Sequence, residues 1–228
     1  MISQDQVWYL PDIDIDIVTC PKNGMTSIKR FFVNWYQETT GRSFSVDDRE
    51  FRKTMVEKQG NIPRGPIHLR QLMIWNQSDF INYPFRKGSF RMAVKRDPVE
   101  RFISAIEYCQ TKIPHKKLSD RDYKRYESIG QVLDLIEDGK IYEHHFHTQT
   151  HFMGSIDRYD AVWDIQDLTH MFRYCVRKHP DLKWGPRLNP VLNTMRQKEH
   201  KRITSNISDS EIARIKVLYG EDYRNGWC

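Results

Sequence analysis

One segment near the start of the chain combines a lysine, a glycine and two hydroxyl side chains between an apolar run and a helical pattern. The run ends at residue 19, and apolar side chains recur at helical spacing from residue 28 onward. The residues between them that could hold an anion are Lys22, Asn23, Gly24, Met25, Thr26 and Ser27. Glycine lets the backbone approach a ligand, and a helix start offers unpaired N–H groups and the positive end of the helix dipole. The segment therefore predicts a strand–loop–helix cradle for a phosphate.

The lysine of this loop does not stand where a Walker A motif would have it. In that motif the lysine directly follows the second glycine and precedes Ser or Thr. Here Lys22 precedes Gly24, the only glycine of the loop. For this segment taken alone, an ordinary strand–turn–helix with a solvated lysine is the plainer alternative.

A second strand–turn–helix pattern occupies residues 90–105. Pro98 suits the first helical turn, and Asp97 before it is a candidate N-cap. Arg96 ends the predicted strand and Ser104 lies two turns into the helix, so both can face the crevice at the carboxyl ends of the strands. We expect them to form a second anion site. For Arg101, an ion pair within the helix or at the strand end is the preferred expectation.

Both segments resemble the cofactor-binding motifs of sulfotransferases that use 3′-phosphoadenosine 5′-phosphosulfate (PAPS). Residues 21–27, Pro-Lys-Asn-Gly-Met-Thr-Ser, are similar to the 5′-phosphosulfate loop. Residues 96–104, Arg-Asp-Pro-x-x-Arg-x-x-Ser, are similar to the 3′-phosphate segment. Weaker likenesses to the carbohydrate branch of this family, which acts on chondroitin, dermatan and uronyl glycans, lie at residues 145–149, 159–162 and 218–223.

The resemblance implies transfer of the sulfuryl group of PAPS to a hydroxyl acceptor on a carbohydrate, by in-line displacement. PAPS is the implied co-substrate, and no metal is expected. Lys22 would neutralise the leaving phosphate, residues 22–27 would hold the 5′-phosphate, and Arg96 and Ser104 would hold the 3′-phosphate. Two alternatives stay open: a P-loop nucleoside or small-molecule kinase, and a non-catalytic binder of nucleotides or sulfated glycans.

The reaction needs a base, and the chain has nine histidines. An imidazole, with an ordinary pKa of about 6.5, suits a general base at neutral pH. His68 is the first candidate because residues 67–70 resemble the segment that supplies the catalytic histidine of uronyl 2-O-sulfotransferases. His145 is the second, and the resemblance implies that it lines the acceptor or nucleotide pocket together with Gln149. A zinc site at His147 and His151 is the less favoured interpretation of that region.

Composition fits an enzyme with an anionic ligand. The 228 residues are 39% hydrophobic and carry a formal net charge of +6, which favours a nucleotide or an acidic polysaccharide. Nucleic acid is not expected, since no zinc-finger spacing, RNP-like segment or basic repeat is present. With no leader-like or membrane-spanning stretch, we expect a cytoplasmic protein; the alternative is a lumenal catalytic domain whose anchor has been removed.

The pattern of elements predicts one α/β domain over residues 1–228, with a mainly parallel sheet flanked by helices and a P-loop-like nucleotide cradle. Helix 47–58, an extended segment at 62–69 and a basic surface loop at 112–126 are also expected. The predicted strands cover residues 13–19, 90–95 and 159–163. The first predicted helix follows the loop and ends at about residue 39, and the other predicted helices cover residues 99–110, 129–137, 167–178 and 208–219.

Overall fold

Within the described part of the chain, four short strands form a single sheet in the order β1-β2-β3-β4. The computed structural model describes residues 7–41, 88–112, 128–140, 144–188 and 207–228. The strands are β1 (Val7–Leu10), β2 (Ile15–Val18), β3 (Phe90–Lys95) and β4 (Ala161–Asp164). Strands β2, β3 and β4 are parallel, and β1 pairs antiparallel with β2. The expected α/β architecture with a mainly parallel sheet and flanking helices is confirmed for these residues.

Seven α-helices accompany the sheet in the described ranges, and the bounds of five of them match the sequence predictions closely. They are α1 (Met25–Thr40), α2 (Pro98–Lys112), α3 (Ile129–Glu137), α4 (Gln149–Met153), α5 (Leu168–Lys178), α6 (Asp209–Leu218) and α7 (Gly220–Arg224). Short 3₁₀ turns join several of them. The short helix α4 was not expected, because five residues carry too little periodicity to indicate a helix.

Local capping chemistry explains why the helix ends were predictable. Gly41 ends α1 in a left-handed conformation (φ 68°) and donates its N–H to Gln37. The Asp97 carboxylate accepts the N–H groups of Val99 and Glu100 at 2.9 and 3.0 Å, as the N-cap prediction requires. At α6, Ser208 and Glu211 form a capping box.

Strand β2, which was predicted over residues 13–19, begins at Ile15 and differs from its prediction in the burial of its first residues. The alternation of Asp and Ile over residues 12–17 indicates a strand with one exposed face, but all four residues of β2 are buried. Asp16 is 2% exposed, and its carboxylate accepts the hydroxyl of Ser89 at 2.6 Å. The aspartate tolerates burial because strand β1 covers the edge of β2 and a hydroxyl on the approach to β3 satisfies the carboxylate.

The apolar core lies on both faces of the sheet. On one face, helices α1 and α5 pack together, with Phe31 and Phe172 stacked at 4.2 Å between ring centroids. On the other face, Val18 and Ala93 pack against Phe152 of α4 and other residues. Helices α2, α3 and α6 share a third apolar cluster. Because β2 and β3 are parallel neighbours, this packing brings the loops that follow them to the same edge of the sheet.

Several sequence predictions fall beyond these residues. Helix 47–58, the segment 62–69 with His68, and loop residues 113–126 lie outside the described ranges. No helix in the described part of the chain combines the length and the apolar character needed to cross a membrane.

Candidate anion-binding site

The loop of residues 19–24, called the 19–24 loop below, joins β2 to α1 in a tight turn held by its own hydrogen bonds. The Thr19 hydroxyl donates to the Asn23 carbonyl at 2.9 Å, and the Asn23 N–H donates to the Cys20 carbonyl at 3.1 Å. The first hydrogen bond of α1 runs from the Ile28 N–H to the Gly24 carbonyl at 3.0 Å. The turn therefore delivers the chain into a helix within a few residues of the strand.

Gly24 meets two requirements that no other residue type meets together. Its φ is 79°, in the left-handed region that glycine adopts without steric cost. A Cβ at this position would lie 2.7 Å from Cδ1 of Leu168, which begins helix α5. The glycine thus allows close contact between the 19–24 loop and α5 as well as the sharp entry into α1.

Lys22 also has a left-handed backbone, with φ 75°, which is uncommon for a residue with a side chain. Its Nζ lies 4.1 Å from the centroid of the Tyr108 ring, in the geometry of a cation–π contact. Strained backbone of this kind persists only where surrounding contacts hold it and is concentrated at functional sites. The lysine is therefore held in a defined position, half-buried at the edge of the loop.

The start of α1 carries the other residues predicted for the 5′-phosphate. The N–H groups of Met25, Thr26 and Ser27 precede the first intrahelical hydrogen bond, and the N-cap residue, Gly24, has no side chain with which to cap this end. Thr26 is exposed, whereas Ser27 is 6% exposed. The helix dipole adds positive potential at this end, so the sequence prediction of an anion-binding loop is compatible with its local geometry.

Arg96 joins the two predicted anion-binding segments. Its Nη1 donates to the Lys22 carbonyl oxygen at 3.2 Å, across 74 positions of sequence. Its Nε pairs with the Glu100 carboxylate at 3.4 Å, one helical turn further on. The guanidinium is partly buried between the loop and the start of α2. This contact also braces the left-handed backbone of Lys22.

Ser104 lies on the face of α2 that is turned toward the 19–24 loop. It follows Arg101, which donates to the Pro21 carbonyl, by three residues. It precedes Tyr108, whose ring contacts the Lys22 ammonium, by four residues. Residues three and four apart share one side of a helix, so Ser104 is on the same side as both contacts and is half-buried there.

Asn23 and Gln149 brace the site from within. Both are fully buried, and Asn23 Nδ2 donates to Gln149 Oε1 at 2.6 Å and to the Val94 carbonyl at 2.8 Å. Gln149 also accepts the Arg96 N–H at 3.0 Å and donates to the carbonyls of Arg96 and Trp227. The Asn23 side chain therefore ties the 19–24 loop to β3 and to α4.

The expectation that Gln149 lines a pocket is wrong. Its amide oxygen accepts two hydrogen bonds and its amide nitrogen donates two, which leaves no capacity for a ligand. This residue closes a polar network that fixes the end of β3 against the 19–24 loop. The network explains why the short helix α4 is buried beside the site.

The expectation of an ion pair for Arg101 is also wrong. The guanidinium is 0% exposed and donates to two backbone carbonyls, from Nε to Pro21 at 3.0 Å and from Nη1 to His147 at 2.5 Å. The side chain points inward and lies behind the 19–24 loop. Burial raises the pKa of the neighbouring Cys20 thiol to about 11, although the Arg101 charge opposes the shift.

The histidine candidates divide between the described and undescribed parts of the chain. His145 packs on Tyr108, with ring centroids 4.4 Å apart, so the same aromatic ring contacts both His145 and Lys22. His68 lies outside the described residues, and its role stays a prediction. The rings of His147 and His151 stack at 4.2 Å. Among described residues, no group of three or more His, Cys, Asp or Glu side chains is placed to hold a metal ion.

Sequence reasoning missed three residues of this site. The place of Tyr108 could have been inferred from the sequence, because it stands four positions after Ser104 on the same helical face. The inward direction of Arg101 and the role of Asp222 had no local signal. The Asp222 carboxylate accepts the N–H groups of Gln149 and Thr150 at 2.9 and 2.7 Å, which orients α4.

Comparisons with protein families, with characterised proteins and with solved structures find no significant match to this chain.

Proposed function

We propose that this protein is a PAPS-dependent sulfotransferase that transfers a sulfuryl group to a hydroxyl of a carbohydrate acceptor. The observation that carries the proposal is the hydrogen bond from the Arg96 guanidinium to the Lys22 carbonyl at 3.2 Å. It joins two segments that were each predicted, separately, to bind a phosphate of one nucleotide. A nucleotide with phosphates on both the 5′ and 3′ positions is the ligand that would use both at once.

Each segment contributes a different kind of anion contact. The start of α1 offers N–H groups, the Thr26 hydroxyl and the Lys22 charge, which suit the 5′-phosphosulfate. Arg96 and the loop-facing side of α2 with Ser104 suit the 3′-phosphate. We assign the strand–loop–helix at residues 19–27 as the P-loop-like cradle on this basis.

In the proposed reaction the acceptor oxygen attacks sulfur as the bond from sulfur to the 5′-phosphate oxygen breaks. The leaving group is adenosine 3′,5′-bisphosphate, and its developing charge is neutralised by Lys22. By analogy with phosphoryl transfer, positioning and electrostatic stabilisation lower most of the barrier. The strained backbone and aromatic contact of Lys22 support this role, because they fix its ammonium before the charge develops.

The acceptor proton requires a base, and His68 and His145 are the proposed candidates. His145 gains support from the structure, because it packs on the ring that also contacts Lys22. A base near the leaving-group cation could also reach an acceptor hydroxyl aligned with the bond that breaks. His68 retains only the support of its sequence resemblance.

A kinase with the same loop is the main alternative, and one contact weighs against it. A kinase of this type would need an acidic residue at a strand end to hold Mg²⁺. Asp97 follows β3, but its Oδ1 accepts two N–H groups at the start of α2. That carboxylate therefore has a structural function already, as a helix cap.

Ligand binding followed by turnover separates these functions. A ligand that binds only the native state raises the melting temperature, by roughly 5 to 10 °C at a hundred times its dissociation constant. We expect this shift with adenosine 3′,5′-bisphosphate and a much smaller one with ATP and Mg²⁺. A library of saccharides incubated with ³⁵S-labelled PAPS should then yield a labelled product.

The opposite results would reject the proposal in distinguishable ways. A larger shift with ATP and Mg²⁺, together with phosphate transfer, would identify a kinase. A shift with the bisphosphate but no labelled product from any hydroxyl-bearing acceptor would identify a non-catalytic binder. A matched variant, Arg91→Ala, removes a surface arginine at the opposite end of β3 and should behave like wild type.

A further inference from the structure

Arg101 is a cation buried directly behind the 19–24 loop. Its side chain is 0% exposed. The Cζ atom of its guanidinium lies 5.8 Å from the centroid of the Phe152 ring and 5.9 Å from that of the Tyr219 ring. Nε and Nη1 each donate to a backbone carbonyl, whereas Nη2 has no hydrogen-bond partner among the described residues. Burial of a guanidinium with an unused donor group destabilises the folded state. Its presence here therefore calls for a functional explanation.

The two carbonyls that Arg101 binds lie next to two residues with proposed roles in the reaction. Pro21 immediately precedes Lys22, the proposed leaving-group cation, and His147 lies two residues after the candidate base His145. Neutral donors could satisfy two carbonyl oxygens equally well. The hydrogen bonds alone therefore do not explain why a full positive charge is buried at this point.

The surrounding charges leave the cation incompletely balanced. Among described residues, no carboxylate lies within ion-pair distance of Arg101. Cys20, Tyr219 and Asp222 interact with it electrostatically. Burial raises the pKa of the Cys20 thiol and of the Tyr219 hydroxyl, so neither is a negative charge at neutral pH. The Asp222 carboxylate is hydrogen-bonded to the N–H groups of Gln149 and Thr150. In such a water-poor setting a charge acts over a longer distance than it would at the surface. An anion bound on the outer side of the loop would supply the missing negative charge.

We propose that Arg101 is a positioning residue of the anion site, whose buried charge acts through the 19–24 loop to strengthen binding of the nucleotide phosphates. The identity of the nucleotide rests on the proposed function, but the effect of the charge extends to any anion in the loop. Arg96 and Ser104 face the ligand from the outer side, whereas Arg101 acts from beneath and does not touch it.

The test compares ligands of increasing charge on variants that separate charge from packing. Calorimetry measures the affinities of adenosine, adenosine 5′-phosphate, adenosine 3′,5′-bisphosphate and inorganic pyrophosphate for wild type, Arg101→Met and Arg101→Lys. The Met variant should lose roughly tenfold or more in bisphosphate affinity, as when one charged group is removed, and much less in adenosine affinity. The Lys variant keeps the charge and should bind the bisphosphate within about threefold of wild type.

An equal loss for neutral and charged ligands would show a purely structural role and overturn the inference. Circular dichroism establishes which variants are folded. If Arg101→Met does not fold, Arg101→Lys decides, since retained bisphosphate affinity supports the inference and an equal loss for all ligands overturns it. Arg91→Met, a surface arginine at the far end of β3, is the control for removal of one positive charge.

The same experiment distinguishes failure of this inference from failure of the proposed function. If wild type binds pyrophosphate but not the adenosine bisphosphate, the proposed function fails, and the variants still test Arg101 with pyrophosphate. If wild type binds the bisphosphate and the Met variant binds it equally well, only the inference fails. If wild type binds none of these anions, both are overturned.

Discussion

The Lys22 ammonium lies 4.1 Å from the centre of the Tyr108 ring, which joins the loop after β2 to the third turn of helix α2. The same ring packs against His145 at 4.4 Å. One aromatic side chain therefore stands between the proposed leaving-group cation and a candidate base. This contact, together with the Arg96 hydrogen bond, gives the two halves of the candidate site a fixed relative position.

Removal of the Lys22 amine should affect turnover more than binding. If its charge stabilises the leaving phosphate, Lys22→Ala should lower kcat more than it raises KM for PAPS, because that charge develops in the transition state. Steady-state kinetics at varied PAPS concentration measures both. Lys22→Gly is the matched control: it removes the same amine but accepts φ 75° freely, and should be about 1 kcal/mol more stable than the Ala variant. An unchanged kcat in both variants would exclude the catalytic role.

The 3′-phosphate should contribute strongly to affinity through Arg96. A charge-assisted hydrogen bond contributes about 1.5–3 kcal/mol, so Arg96→Ala should weaken binding of adenosine 3′,5′-bisphosphate by about tenfold or more. Adenosine 5′-phosphate, which lacks the 3′ group, should lose much less affinity in the same variant. Calorimetry on both ligands checks this difference. Equal losses of affinity for both ligands would show that Arg96 does not bind the 3′-phosphate.

The base can be identified by comparing two histidine variants. A positioned general base contributes about 10²–10⁴-fold, so the correct substitution should lower kcat by that factor and leave nucleotide affinity near wild type. The wild-type rate should fall on acidification as the imidazole is protonated, and this dependence should disappear in the correct variant. His145→Gln and His68→Ala are measured side by side with labelled PAPS. If both variants keep full activity, neither histidine is the base.

Alanine substitutions at Gly24 and Gly41 distinguish the cost of backbone strain from the cost of steric overlap. Both have left-handed backbones, with φ of 79° and 68°, so an alanine at either position should cost about 1–2 kcal/mol. At Gly24 the new Cβ would also lie 2.7 Å from Leu168, whereas at Gly41 no atom of the described residues beyond its chain neighbours lies within 4 Å. Gly24→Ala should therefore be more destabilising by about 1–3 kcal/mol. Urea denaturation of the two variants measures the difference, and similar values would contradict the described contact.

Acidification should destabilise the protein partly through His151. Burial, with the nearby Arg101 charge, lowers the pKa of His151 below its ordinary value of 6.5. The unfolded chain therefore takes up the proton first, so the free energy of unfolding should decrease as the pH falls through 6.5. Urea midpoints at pH 7.5 and pH 5.5 should differ less in His151→Gln than in wild type. The exposed His170 is the control, and His170→Gln should keep the wild-type difference.

Local sequence signals accounted for most of the element boundaries and for the chemistry of the two loops. The strand at Phe90–Lys95, the Asp97 cap and the Ser208–Glu211 capping box all depend on residues close together in the chain. Such interactions are short-range, so their residue types and spacing are sufficient to predict them. The same holds for the turn at Gly24, whose need for glycine follows from an abrupt change from strand to helix.

Only the tertiary structure decided which side chains face a ligand and which support the site from behind. Arg96 and Arg101 are only five positions apart and look alike in the sequence, yet one is partly buried at the loop and the other is fully enclosed. Gln149 was expected in a pocket and instead binds Asn23, 126 positions away. The physical reason is that buried polar groups must find partners wherever packing brings them, and those partners have no fixed sequence separation.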